Sequence, residues 1–582
     1  MRLPVKRYLS LLGTYLKPQW FRTTLMAVLL LVNVGLQLLN PQILRYFIDT
    51  ALSGGASTSL LYAALFFIVV AIVNQVVSVA VIYLSENVAW TATNQLRTDL
   101  VAHCLLLDMA FHKEHPAGEL IERIDGDVDA LSNFFSKFAI NLLSSVLMVI
   151  GVIVLFFQIN WLVGVVLTAF VVFVFTFLMT IGRRATPLWK VLRQVNADFS
   201  SFLGEHLVGT EDIRANGATQ AIMLRFYRLL RRWQVANSKA EFVSYLIGST
   251  LLLLFIVGSA LTLILGAYLW SIGVVTVGTV YLMFTYKDRL SEPLDEIQTQ
   301  LQDLQQVEAC IQRIEELLCI QPMIVDGQER APLSPGATSV ECRDVSFGYN
   351  EHELILHSLN FSLKAGKVLG IVGRTGSGKT TIARLLFRLY DPQTGEISIG
   401  GVPIRNTSLH MLGQRIGMVT QDVQLFQASV RDNLTFFDSS MQDEQIIAAL
   451  NDVGLSAWYS ALPQGLDTEL GTNGEGLSAG QAQLLAFTRV LLTNPGLVIL
   501  DEASSRLDPA TEYILERATR KLFSGRTGVI IAHRLSTLLH VDEIMVLEDG
   551  RVLEYGSREA LAGNPDSHFA HLLQTGLEEV RT

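Results

Sequence analysis

Charged side chains are scarce in this chain. Asp, Glu, Lys and Arg supply 17% of its 582 residues, against about 25% in an ordinary soluble domain. That shortage argues against a single soluble globule. Cysteine is also scarce. Cys104, Cys310, Cys319 and Cys342 fall at no metal-ligand spacing and form no CxxC pair. Such usage points to reduced thiols in a cytosolic compartment. Glycine (43) and proline (15) are too few for a collagen-like or low-complexity chain. A basic excess is missing as well: the net charge is -10, which argues against nucleic acid as a partner.

What the chain has is apolar surface. Half of it is hydrophobic and its mean hydropathy is +0.38, which excludes disorder. The charge is split. Residues 1–325 hold 23 basic and 23 acidic side chains, and the rest hold 21 and 31. An apolar, neutral front therefore precedes an acidic, water-soluble back. The front contains six apolar runs, near Thr23–Ile48, Leu60–Leu84, Phe138–Phe157, Trp161–Ile181, Tyr245–Trp270 and Gly273–Tyr286. Runs of about 20 residues are long enough to cross a bilayer core. No charge occurs from Phe138 to Gly182. Lys and Arg crowd the segments before the first run, after the second and fourth, and after the sixth, and avoid the other connections. By the positive-inside rule both termini are cytoplasmic, in a multi-pass protein of the plasma or inner membrane. The first run is too long for a cleaved signal peptide and lacks a small-residue cleavage site. Residues 1–22 read as an amphipathic helix on the inner surface, with Trp20 and Phe21 at the interface.

The two inner connections, Ser85–Lys137 and Arg183–Val243, are far longer than ordinary loops. Leu96, Leu100, Val101 and Leu105 recur at helical spacing, as do Ile222, Phe226 and Leu230. The membrane helices are expected to continue into the cytoplasm and to turn at Pro116-Ala117-Gly118 and Ala215-Asn216-Gly217. After the sixth run, Leu294 through Leu318 keep one apolar stripe, which predicts a long helix. The expected organisation is an amphipathic segment (1–22), a transmembrane domain (23–320), a linker (321–338) and a soluble domain (339–582).

In the soluble part, strand-like runs alternate with helices, an α/β pattern. The run Val368–Val372 leads into Gly373-Arg374-Thr375-Gly376-Ser377-Gly378-Lys379-Thr380, the GxxxxGK[ST] phosphate loop in its strand–loop–helix setting. Its glycines let backbone N–H groups close on phosphates, and the following helix turns its positive end toward them. Lys379 would reach the β- and γ-phosphates, Thr380 would bind Mg²⁺, and the adjoining Thr381 is taken with the nucleotide site. The buried run Leu497–Leu500 ends in Asp501 and Glu502. Two carboxylates at a strand end need a compensating cation or water. Asp501 suits Mg²⁺, and Glu502 suits a base for the attacking water.

Leu477-Ser478-Ala479-Gly480-Gln481 stands shortly before that strand. With these motifs in this order, the chain resembles the ATP-binding-cassette (ABC) transporters, in particular half-size exporters of the lipid and multidrug type. The resemblance implies a fold: an all-α six-helix transmembrane domain with long cytoplasmic extensions, followed by an α/β P-loop ATPase domain of ABC type. It implies ATP and Mg²⁺ as cofactors. It also assigns roles. Tyr349 stacks on adenine, Gln421 meets Mg²⁺, Asp508 lies between two nucleotide domains and His533 contacts the γ-phosphate. Ser478, Ala479, Gly480 and Gln481 complete the site of a second half-transporter chain, so a dimer is implied.

The sequence departs from the family at Ala479, where glycine is usual, and at Ala482-Gln483, Gly471-Thr472-Asn473-Gly474 and Arg506. All lie on or beside the face given to the partner. We expect a heterodimer with one weakened site, over a homodimer that tolerates Ala479. The spans carry few polar groups, among them Asn33, Gln37, Asn40, Asn74, Gln75, Asn141 and Arg45. Such a lining suits a hydrophobic small molecule, a lipid or a peptide moved by ATP-driven export from a lipid membrane. An importer on the same fold, and an ATP-gated channel or regulator, remain alternatives.

Overall fold

A computed structural model of the chain describes residues 13–137, 141–327, 336–350, 353–471, 474–501, 509–532 and 537–579. The chain forms two compact units. One comprises Met1–Leu105 and Ala117–Ile320, the other Leu106–Pro116 and Gln321–Thr582. The short segment Leu106–Pro116, expected inside the transmembrane domain, thus groups with the second unit.

The first unit is helical. Helices α1 (Trp20–Leu52) and α2 (Ser57–Leu106) are followed, after α3 (Met109–Glu114) of the second unit, by α4 (Asp127–Lys137) and α5 (Leu143–Ile159). Then come α6 (Trp161–Val208), α7 (Thr219–Ser271), α8 (Val277–Asp288) and α9 (Ser291–Cys319). Four helices among the described residues are long and apolar enough to cross a membrane: Gly13–Leu52, Ser57–Leu106, Trp161–Val208 and Thr219–Ser271. Leu143–Ile159 is a shorter apolar helix. At 1.5 Å per residue, the 50 residues of α2 reach about 75 Å, well beyond a hydrocarbon core of about 30 Å.

The sixth apolar run is helical over less of its length than its hydropathy suggests. Its first residues form a turn, with Gly273 at φ +76°, and the helix starts at Val277 behind Thr276, whose side chain accepts from Thr279 N. Asp49 of α1 holds this start in place. Its carboxylate accepts from Thr276 Oγ1 at 2.7 Å and from Gly278 N at 2.9 Å. A Cβ on Gly278 would stand 2.7 Å from the Arg45 carbonyl oxygen, so glycine is what lets α8 approach α1. Farther along, Tyr286 donates to the Leu38 carbonyl at 2.6 Å and accepts from Gln42 Nε2 at 3.0 Å. These bonds flank Pro41, whose missing N–H interrupts the α1 ladder.

The apolar stripe of α9 is buried at Leu294, Val307, Ile311, Ile314 and Leu317. Arg313 on the same helix grips the buried Asp127 through two nitrogens. The extensions of α6 and α7 pack through Phe199, Phe202 and Phe226, with centroids 5.8 and 5.9 Å apart. Trp233 Nε1 adds a bond to Asn196 Oδ1 at 2.7 Å.

The second unit carries two sheets. The antiparallel one runs β2-β1-β4-β5, from β1 (Val340–Phe347), β2 (Leu356–Leu363), β4 (Thr394–Ile399) and β5 (Val402–Pro403). The other has six strands in the order β10-β9-β3-β8-β7-β6. They are β3 (Val368–Val372), β6 (Ile416–Val419), β7 (Leu497–Asp501), β8 (Thr527–Ile531), β9 (Glu543–Glu548) and β10 (Arg551–Ser557). From β9 to β6 every pairing is parallel. β7 and β8 are buried along their whole length, as continuous Val/Ile/Leu runs in parallel sheets are.

Candidate functional site

Parallel strands send their carboxyl ends to one edge of a sheet, where open α/β folds bind ligands. Here that edge gathers the loop after β3 (Gly373–Thr380), Asp501 at the end of β7, and Thr420-Gln421 after β6. Glu502 and His533 follow β7 and β8 in sequence. They and Asp508 lie outside the described residues.

The phosphate loop closes tightly. A Cβ on Gly373 would stand 2.1 Å from the Leu547 carbonyl oxygen. Gly378 has φ +101° directly before helix α10 (Lys379–Leu386), a conformation that side chains resist. Lys379 is buried, and its ammonium donates to the carbonyls of Gly373 at 2.7 Å and Arg374 at 2.8 Å. Burial pushes its pKa below the ordinary lysine value, while the Asp501 carboxylate opposes that shift. Ser377 Oγ is buried with no hydrogen-bond partner among the described residues. Arg374, Thr375 and Gly376 are exposed, and Thr380 is half-buried. A cradle that side chains would fill, a cation held back by backbone carbonyls and an orphaned buried hydroxyl all fit a bound triphosphate. Thr380, Asp501 and Gln421 offer only hard oxygen donors, the kind Mg²⁺ takes beside phosphate oxygens.

Tyr349 follows β1. Its hydroxyl accepts from Arg384 Nη1 at 3.0 Å and meets Thr381 Oγ1 at 3.3 Å. Thr381 is therefore engaged with Tyr349. The Tyr349 ring lies 5.2 Å from Phe347 and from Tyr390, both edge-on.

Comparison with known proteins agrees with this geometry. Residues 23–288 match the ABC transporter transmembrane region, and residues 356–505 match the ABC transporter domain. The chain is 30% identical over 556 residues to YknV, an uncharacterised ABC transporter ATP-binding protein of Bacillus subtilis, covering 94% of this chain and 91% of that one. The chain belongs to the ABC transporter family.

Within the family, it is 29% identical to an ATP-dependent lipid A-core flippase of Alcanivorax borkumensis, over 96% of this chain and 94% of the flippase. The solved structure of a bacterial Atm1-family ABC exporter with ATP bound superposes with a TM-score of 0.78 at 28% identity. That match covers 95% of this chain and 98% of the exporter. The expected fold, a helical membrane domain followed by an ABC nucleotide domain, holds.

The family's Leu-Ser-Gly-Gly-Gln position opens helix α11 (Ala479–Thr493) of this ABC transporter. Ser478 and Gln481 form a reciprocal cap: Ser478 Oγ accepts from Gln481 N at 3.2 Å, and Gln481 Oε1 accepts from Ser478 N at 2.9 Å. Ala479 is the first helical residue and is exposed, while Gly480 is buried. The backbone here does not require glycine, so a Cβ at 479 acts only on whatever faces this helix end. Thr472, Asn473 and Arg506 lie outside the described residues.

Arg489 escaped the sequence reading. It reaches from α11 back to the segment after β6, donating to the Asn433 carbonyl (2.6 Å), the Gln424 carbonyl (2.9 Å) and Asn433 Oδ1 (3.1 Å). It also stacks 4.8 Å over Phe436, and burial lowers its pKa. A single charge inside the apolar run Leu484–Leu492 was the available signal. Arg489→Ala strands two carbonyls and is expected to cost about 2–3 kcal/mol, read as a lower unfolding midpoint of the nucleotide unit. An unchanged midpoint would show that these bonds contribute nothing net.

Proposed function

We propose that this exporter-type ABC transporter uses ATP hydrolysis to move a hydrophobic or amphipathic cargo out of the cytoplasm, as a dimer of half-transporters in the cell membrane. The observation that carries the reading is the single sheet edge holding the phosphate loop, Asp501 and Gln421, in a chain that also contains the membrane helices. In this reading Lys379 and the Gly373–Thr380 backbone bind the phosphates, and Tyr349 takes the base. Thr380, Asp501 and Gln421 hold Mg²⁺, which would neutralise phosphate charge. Glu502 activates water, and His533 contacts the γ-phosphate. Ser478, Ala479, Gly480, Gln481 and Asp508 serve the interface with the second chain.

A cavity of about 1080 Å³ in the membrane unit supports an amphipathic cargo. Its wall mixes Leu30, Met148 and Leu251 with Asn33, Gln37 and Asn141. Asp288, Arg289, Glu292, Asp295 and Glu296, which follow the sixth apolar run at the α8–α9 junction, also line this space. Related proteins named lipid A-core flippase and probable multidrug resistance transporter point to lipid-like or drug-like cargo. Ala479 favours a heterodimer.

The test is transport by the purified chain in liposomes, alone and with a co-purified partner. ATP-dependent accumulation of a fluorescent amphiphile in inside-out vesicles supports export. Efflux in that orientation would make the protein an importer, and ionic current without uphill transport would make it a channel. Two equivalent, fully active sites in the chain alone would remove the heterodimer.

A further inference from the structure

We propose that Lys113 competes with the nucleotide base for the face of Tyr349, and so links base occupancy to the inner turn that follows α2. The inference rests on the ATP-site reading above. Lys113 lies on α3, and its ammonium stands 4.4 Å from the Tyr349 ring centroid. That is well within the range at which a cation is drawn to an aromatic face. A purine stacking on the same face needs the same space. A flat base and an ammonium cannot both lie against it.

The Tyr349 ring is not free to swing aside and serve both. Arg384 and Thr381 hold its hydroxyl, at 3.0 and 3.3 Å. Phe347 and Tyr390 stand against it edge-on, each 5.2 Å away. Lys113 is positioned as firmly from the other side. Asp108, the residue before α3, accepts from the backbone N–H of Met323 and, at 3.1 Å, from that of Ile324. The chain just beyond is fixed in turn. Buried Arg388 donates to the Val325 carbonyl at 3.0 Å, and Asp326 accepts from Leu409 N at 2.7 Å. Two separately anchored partners therefore meet at one aromatic face.

The consequence is a linkage. A base that displaces the ammonium releases the end of α3, while Asp108 keeps its start tied. By reciprocity, any state of the chain that draws α3 off Tyr349 raises affinity for the base by the same factor that base binding favours that state. Because α3 follows the 50-residue α2, the contact gives the membrane helices a direct reading of the base. The reading does not depend on the phosphates.

The experiment compares ATP with inorganic tripolyphosphate, which has the phosphates and no base, on the full-length chain in nanodiscs. Lys113 is exposed, so its replacement leaves the core intact. Lys113→Ala is expected to bind ATP about three- to tenfold more tightly, the scale of one cation–π contact. Its tripolyphosphate affinity should stay at the wild-type value. Lys113→Arg keeps a cation over the ring and should resemble wild type. In a Tyr349→Ala background, Lys113→Ala should add no change. Unchanged or weaker ATP binding by Lys113→Ala overturns the competition, and so does equal tightening of both ligands. A wild-type chain that binds no nucleotide would instead remove the ATP-site reading, and this inference with it.

Discussion

Lys379→Ala is expected to lower ATP hydrolysis by about 10²–10³-fold, the loss typical when one preorganised donor is removed from an anion site. ATP binding should fall with it. The reason is the state of this ammonium in the structure. It is buried, its pKa is depressed by desolvation, and it is held by the carbonyls of Gly373 and Arg374. Those two bonds keep a positive charge aimed into the loop that phosphates would fill. Removing the side chain deletes the charge and frees both carbonyls, so the loop loses its shape as well as its field. Phosphate release and equilibrium nucleotide binding measure the two losses separately. Wild-type turnover in the variant would mean that phosphates bind elsewhere.

Glu502→Gln should behave differently. It is expected to retain ATP binding and lose about 10²–10⁴-fold in turnover, the usual contribution of a positioned general base. The amide keeps the size of the carboxylate and cannot take a proton from water. ATP should then hold two nucleotide domains together, which cross-linking or size analysis with ATP would detect. Unchanged hydrolysis would remove Glu502 from the mechanism. The two variants separate binding from chemistry: the first fails before the complex forms, the second after.

The contrast with Arg489 and Lys113 shows which features a sequence exposes. The phosphate loop is legible because its chemistry is local: glycines, lysine and threonine act within one turn between β3 and α10. Asp501 is legible because a carboxylate closing an apolar strand is conspicuous. The long helices are legible from apolar runs that outlast a bilayer. Arg489 instead takes its meaning from Asn433 and Gln424, 56 and 65 residues away, and no spacing rule joins them. Lys113 reads as one more positive charge on an inner loop until the fold sets it over Tyr349. The start of the sixth helix is not legible for a related reason. Val274 and Val275 are as apolar as any membrane residue, but hydropathy does not register the turn at Gly273 or the hold of Asp49 on Thr276.

The parallel order β9-β3-β8-β7-β6 has a consequence for divergence. Neighbouring strands sit about 4.8 Å apart whatever side chains they carry. The gaps separating the phosphate loop, the Asp501 corner and the Gln421 segment are therefore multiples of one backbone repeat. Side chains behind the sheet can drift freely so long as they still pack. A family built this way can rewrite most of its sequence while its reacting groups stay in register. Seventy per cent of aligned positions differ between this chain and YknV, a divergence that a ruler made of main chain can absorb.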